Sequence, residues 1–181
     1  MKKLLSLLLA CLFLFSASAC GNTATWSDAY AEVLSGAMAE FPQYRYACVY
    51  SLYDVDKNGA PELMVKVGTC EADFQYRLYD CPKGGGARML GTLSGSHAAL
   101  AGLQNGSALL LINGAQGYET VSRCTLADGA VSVEELFSGY VDEYHPFDYL
   151  PYYELDDPSG LSWTGDAPNG NDAVLSGITA S

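Results

Sequence analysis

The sequence predicts a mainly β (α+β) fold, with a short N-terminal helix packed on two antiparallel meander units of about four strands each. Three observations carry that prediction. Apolar residues recur at three- and four-residue steps between Trp26 and Phe41, and at two-residue steps from Tyr46 onward. Turn-forming runs break the two-residue pattern at short intervals: "KNG", "KGGG", "SGSH", "QNG", "NGAQG" and "ADG". The β region also reads as one pattern used twice, with a period of about 44–47 residues, the length of a four-stranded antiparallel unit.

The chain opens "MKKLLSLLLACLFLFSASAC". Lys2 and Lys3 precede an apolar run, Leu4 to Phe15, and a small-residue stretch, Ser16 to Ala19. That run is too short to span a bilayer and has the build of an export signal over residues 1–19. Ala17-Ser18-Ala19-Cys20 resembles a bacterial lipobox, with Ala17 where Leu is usual. The resemblance implies cleavage before Cys20, acylation of its thiol, and anchoring at the outer face of the cytoplasmic membrane. Residues 20–25 are then a lipidated cysteine and tether, 26–153 a single helix-plus-β domain, and 154–181 a flexible acidic, Gly-rich tail. With Lys2 and Lys3 gone, 7 basic residues face 21 acidic ones, a formal charge of −14. So acidic a surface excludes nucleic acid as a partner and suits divalent cations.

The helix "WSDAYAEVLSGAMAEFPQY" presents Trp26, Tyr30, Val33, Leu34, Ala37, Met38 and Phe41 on one face. Ser27 or Asp28 is the expected cap, and Pro42 the expected stop. Strands are expected over 46–54, 61–68, 74–81, 88–94, 98–103, 108–113, 118–126 and 131–138. In the repeat, "YDVDKNGAPELMVKVG" aligns with "GLQNGSALLLING", and Asn58-Gly59 with Asn105-Gly106. Asn-Gly serves the hairpin in both halves. Only the first half carries the acids, so the acids are not needed to make such a turn.

Those acids define the candidate site. Asp54, Asp56 and Asn58 stand at positions 1, 3 and 5 of a loop, Gly59 at 6, the Ala60 carbonyl at 7 and Glu62 at 9. Like charges this close repel unless a cation lies between them. Alternate oxygen ligands curling round a glycine suit a hard, flexibly coordinated ion, Ca²⁺ before Mg²⁺. The loop resembles the DxDxDG calcium loops. Val65 replaces the bidentate Glu of an EF-hand and a strand, "ELMVKVG", follows, so the likeness is to the calcium hairpins of the FG-GAP/VCBS type. That resemblance implies a carboxylate closing the site at position 9 and an affinity of about 10⁻⁴–10⁻³ M. With the lipobox, the short helix and the Gly-rich hairpins, the chain also resembles small lipoproteins of Gram-positive bacteria. That likeness implies a location and brings no activity.

Cys48, Cys70, Cys81 and Cys124 are the cysteines left outside the signal and the lipobox. An even number in an exported chain favours two disulfides, with three connectivities open. Cys48–Cys70 with Cys81–Cys124 is the favoured one, because a turn centred near Asn58 brings Cys48 and Cys70 close to facing positions. Zinc finds no CxxC pair to hold it. His97 and Glu119, with Glu71 and Asp73 nearby, are the candidates for acid–base chemistry, but turn and surface roles explain them more simply. Tyr140, Tyr144, Tyr149, Tyr152 and Tyr153 form a candidate ligand surface for a glycan or peptide. The function expected is a calcium-stabilised binding or accessory module without catalysis, meeting an unknown protein or glycan at the cell surface. The alternative is an extracytoplasmic hydrolase using His97 and Glu119.

Overall fold

The computed structural model describes residues 25–41, 48–103 and 106–141. Residues 1–24, with the expected export signal and Cys20, lie outside that range. So do Asn105, Tyr144, Tyr149, Tyr152, Tyr153 and the tail. Among the described residues are one helix, α1 (Trp26–Glu40), and eight strands: β1 (Cys48–Tyr53), β2 (Glu62–Val67), β3 (Gln75–Asp80), β4 (Arg88–Ser94), β5 (Ala98–Gly102), β6 (Ala108–Ala115), β7 (Tyr118–Ala127) and β8 (Ala130–Tyr140). Every neighbouring pair is antiparallel, in two sheets ordered β1-β2-β3-β4 and β5-β6-β7-β8. These are the two meanders expected.

The sheets pack face to face. Met64, Tyr76, Leu78, Leu90 and Leu93 of the first meet Leu100, Leu109, Leu111 and Cys124 of the second in one buried cluster. The other face of the first sheet, through Tyr50, Leu63, Val65 and Val67, takes Tyr30, Leu34 and Ala37 of α1. Three layers result: helix, sheet, sheet. β2 is therefore apolar on both faces, which is why "LMV" runs on without the alternation of a half-exposed strand. "ALLLI" in β6 has the same cause, since Ala108 and Leu110 pack on the outer face of the second sheet and Leu109 and Leu111 between the sheets. Each fully buried aliphatic side chain of this kind contributes about 1.5–3 kcal/mol.

α1 begins one residue before the expected caps. Thr25 is the N-cap: its Oγ1 accepts from the Asp28 amide at 3.3 Å, and Asp28 Oδ2 accepts from the Thr25 amide at 3.0 Å. This is a reciprocal capping box, and Asp28 serves as its third-position acid. The far end is held by Glu40, which accepts two 2.8 Å bonds from the Arg77 guanidinium on β3.

Neither expected disulfide is present; Cys48, Cys70, Cys81 and Cys124 are free thiols. The β1–β2 ladder closes at Tyr53 facing Glu62, so Cys48 faces Val67. Cys70 lies beyond the ladder in an exposed turn, whose Thr69 and Cys70 amides donate to Asp73 Oδ1 at 2.7 and 2.9 Å. Cys81 packs on the helix side of the first sheet and Cys124 on its other side, between the sheets. The first sheet separates them. Burial pushes the Cys124 thiol up to about 11.

Candidate metal centre

The eight residues Asp54 to Pro61 join β1 to β2. Their conformation is set by the loop's own amides. Asn58 N–H donates to Asp54 Oδ1 at 3.0 Å and to Asp56 Oδ1 at 3.1 Å, and Gly59 N–H donates to Asp54 Oδ2 at 2.9 Å. Asn58 Nδ2 donates to Asp56 Oδ2 at 2.7 Å, and Ala60 N–H donates to Asn58 Oδ1 at 2.8 Å. Gly59 has φ +90°, a left-handed value that a side chain rarely adopts, and it lets the backbone curl round the carboxylates. Lys57, at φ 59°, turns outward so that its Nζ donates to Tyr53 Oη at 2.9 Å and lies 4.3 Å from that ring's centre.

This folding brings Asp54, Asp56 and Glu62 together, with one oxygen from each within 4.8 Å of the others. Two oxygens bound at about 2.4 Å to one calcium ion can be no more than about 4.8 Å apart. The donor set and its spacing therefore fit one hard divalent cation. Asn58 and the Ala60 carbonyl, the other expected ligands, lie in the same loop, where the Asn58 amide already bridges Asp56 to Ala60.

Glu62 is the least ordinary member. It begins β2, is only 3% exposed, and its Oε2 accepts from the Val55 amide at 2.7 Å. Burial pushes its carboxyl up to about 7, and the charges of Asp56 and Asp54 push the same way against the Val55 hydrogen bond. Val55 itself is fully buried in the cluster between the sheets, so the loop is rooted in the core.

Three contacts that the sequence did not signal hold the loop. Tyr30 of α1 donates through Oη to the Pro61 carbonyl at 2.9 Å and the Tyr79 carbonyl at 3.4 Å. Ser107, at the β5–β6 connection, donates to the Asp56 carbonyl at 3.3 Å. The Tyr53 ring lies against Gly102 so closely that a Cβ there would sit 2.4 Å from Tyr53 Oη. Local spacing finds the acids; these partners come from other elements and leave no local mark.

The acid–base candidates do not share a site. His97 lines a cleft between the β4–β5 connection and the β6–β7 hairpin, with Tyr118 and Thr120. Strand alternation sends Tyr118 and Thr120 to the side of β7 that carries Cys124, and Glu119 to the side that carries Val121. Asp73 is occupied in its turn, and hydrogen bonds, first from the Thr69 hydroxyl, hold it below the usual carboxylate range. Glu71 is exposed in the same turn. Of the tyrosine set, Tyr140 is the described member; it ends β8 at 82% exposure. Among the described residues no helix is long and apolar enough to cross a membrane. Comparison with protein-family models, curated proteins and solved structures finds no match for this chain.

Proposed function

We propose that this protein is an exported, lipid-anchored surface module that binds one Ca²⁺ through Asp54, Asp56, Glu62, Asn58 and the Ala60 carbonyl and uses it to stiffen a binding or accessory domain. One observation carries the reading: three carboxylates converge at calcium spacing on a loop whose buried member, Glu62, is placed at the foot of β2. When bound, the ion supplies positive charge and no redox or acid–base chemistry. Glu62 offers the carboxylate that closes the site from the core side. Asp54 and Asp56 offer theirs from the solvent side, oriented by the Asn58 and Gly59 amides. The anchoring at Cys20 and the export over residues 1–19 rest on the sequence pattern, and the partner is a protein or glycan at the cell surface.

The test is a calcium titration by calorimetry of wild type and the Asp54→Ala/Asp56→Ala double variant. The expected result is one site per chain, with a dissociation constant of about 10⁻⁴–10⁻³ M, absent from the double variant. A wild type that takes up no calcium at several times that concentration would remove the calcium half of the reading.

A further inference from the structure

The acidic loop lies at one end of the sandwich, where Tyr53 meets Gly102 at the end of β5. β5 starts at Ala98, so the cleft beside His97 lies at the opposite end. We infer that this cleft is a second site, which takes a neutral saccharide with its ring packed on Tyr118, the lining tyrosine that Tyr140 abuts. The inference deepens the binding-module reading above and rests on it, but does not depend on calcium.

The cleft has a volume of about 300 Å³, the lower end of the range for small-molecule sites, about 300–1,000 Å³. Its side chains include Ser94, Ser96, His97, Asn113, Tyr118 and Thr120, and among the described residues no lysine, arginine, aspartate or glutamate lines it. A cleft without fixed charge in a chain of net charge −12 is poorly suited to an anion. Hydroxyl, carboxamide and imidazole groups both donate and accept hydrogen bonds, which is what a ring of sugar hydroxyls requires. A flat aromatic face completes the set, because the C–H face of a sugar ring packs on it while the hydroxyls reach the polar wall.

The aromatic platform is prepared in advance. Tyr118 begins β7 at 42% exposure, and its hydroxyl is bonded to Ser138 Oγ at 2.8 Å. The Tyr140 ring meets it edge to face, with centroids 5.1 Å apart and planes at 87°. Val141 N–H donates to the Gly117 carbonyl at 2.9 Å, which fixes the end of β8 beside the β6–β7 hairpin. The opposite wall is equally constrained. Gly114 N–H donates to the His97 carbonyl at 3.0 Å, and Tyr76 Oη donates to the Ala98 carbonyl at 2.8 Å. His97 is held at φ 48°, left-handed for a residue with a side chain, so backbone strain is maintained at the cleft. A rigid wall and rigid rings lose little conformational entropy when a ligand binds.

The experiment uses protein expressed from the complete sequence and purified in a detergent without a sugar headgroup. Calorimetry and saturation-transfer NMR are run with the hexamers of the maltose, cellulose and chitin series, and with a neutral decapeptide of Ser, Gly and Asn. The expected result is saturable binding of at least one saccharide. Tyr140→Ala, at a position too exposed to matter for folding, weakens it about tenfold. Asn113→Ala also weakens it. No saccharide binding up to about 10 mM, a limit beyond which affinity is negligible, overturns the proposal. Saccharide binding that ignores both Tyr140→Ala and Asn113→Ala overturns it as well, and tighter binding of the peptide at the same residues overturns the ligand class. A calcium titration on the same preparation separates this failure from failure of the calcium reading.

Discussion

A carboxyl buried at the foot of a strand, as Glu62 is, must hold a proton or face a cation. Its ordinary value is 4.5, and burial with the neighbouring Asp56 and Asp54 charges raises it to about 7 in the fold. A raised acid favours the folded state while it stays protonated. Its contribution is therefore intact below about pH 4.5 and is lost as pH climbs through the interval to about 7, by an amount on the order of 3 kcal/mol. In metal-free protein, the melting temperature should fall between pH 5 and pH 8 in wild type and fall much less in Glu62→Gln, which keeps the acceptor for the Val55 amide. Calcium should reverse the order: it restores wild type at pH 8 and leaves Glu62→Gln where it was. Parallel pH profiles for the two proteins without calcium would show that the burial of Glu62 carries no such penalty. At this scale the sequence is only half legible. Asp54, Asp56 and Asn58 are found by their alternate spacing, whereas the strain on Glu62 comes first from burial, which the Val55 amide opposes and which spacing does not reveal.

The elements were more legible than the contacts between them. All eight strands fall within two residues of their expected limits, because each hairpin has its own turn residues and the period of two is local. The two-residue turns Gln116-Gly117 and Asp128-Gly129, with both φ positive, are of the kind that "QG" and "DG" announce. The β1–β2 register was not legible, since an eight-residue loop does not fix its own centre; that misplacement put Cys70 where Val67 stands. The helix was expected to pack on a sheet, but nothing local says that its Tyr30 reaches the exit of the acidic loop. That bond makes α1 part of the site's support. Tyr30→Phe leaves the Pro61 carbonyl short of a partner and should cost about 1–2 kcal/mol of stability. Because Pro61 precedes Glu62, calcium affinity should also fall, by severalfold. Chemical denaturation and calcium titration of the one variant check both. An unchanged affinity beside a lowered stability would confine Tyr30 to packing.

At the scale of the whole molecule, two similar meanders differ in their first hairpins, of which only the first carries the acids. The repeat foretold the units, but whether they continue one sheet or stack face to face depends on side chains far apart in sequence, and stacking prevails because β2 and β6 each have two apolar faces to cover. The stack is tight where β4 crosses β8: a Cβ on Gly91 would lie 2.3 Å from Val131 Cγ1. Gly91→Ala should therefore cost about 1–3 kcal/mol by forcing the sheets apart, read as a lower denaturation midpoint. The loop itself bridges the two sheets. Val55 lies in the shared core, Tyr53 on Gly102, and the Asp56 carbonyl accepts from Ser107. An ion held by Asp54, Asp56 and Glu62 would thus brace the joint between the meanders as well as its own hairpin. At a hundred times its dissociation constant it would add about 2.7 kcal/mol, and amide exchange can locate where that appears. Exchange in chelator and in saturating calcium should differ at Asp54–Leu63 and also across the second sheet, at Leu103, Ala108 and Leu109. Protection limited to the loop and β2 would mean that Ser107 and Gly102 only touch the site, and that the second meander keeps its own stability whether or not the ion is bound.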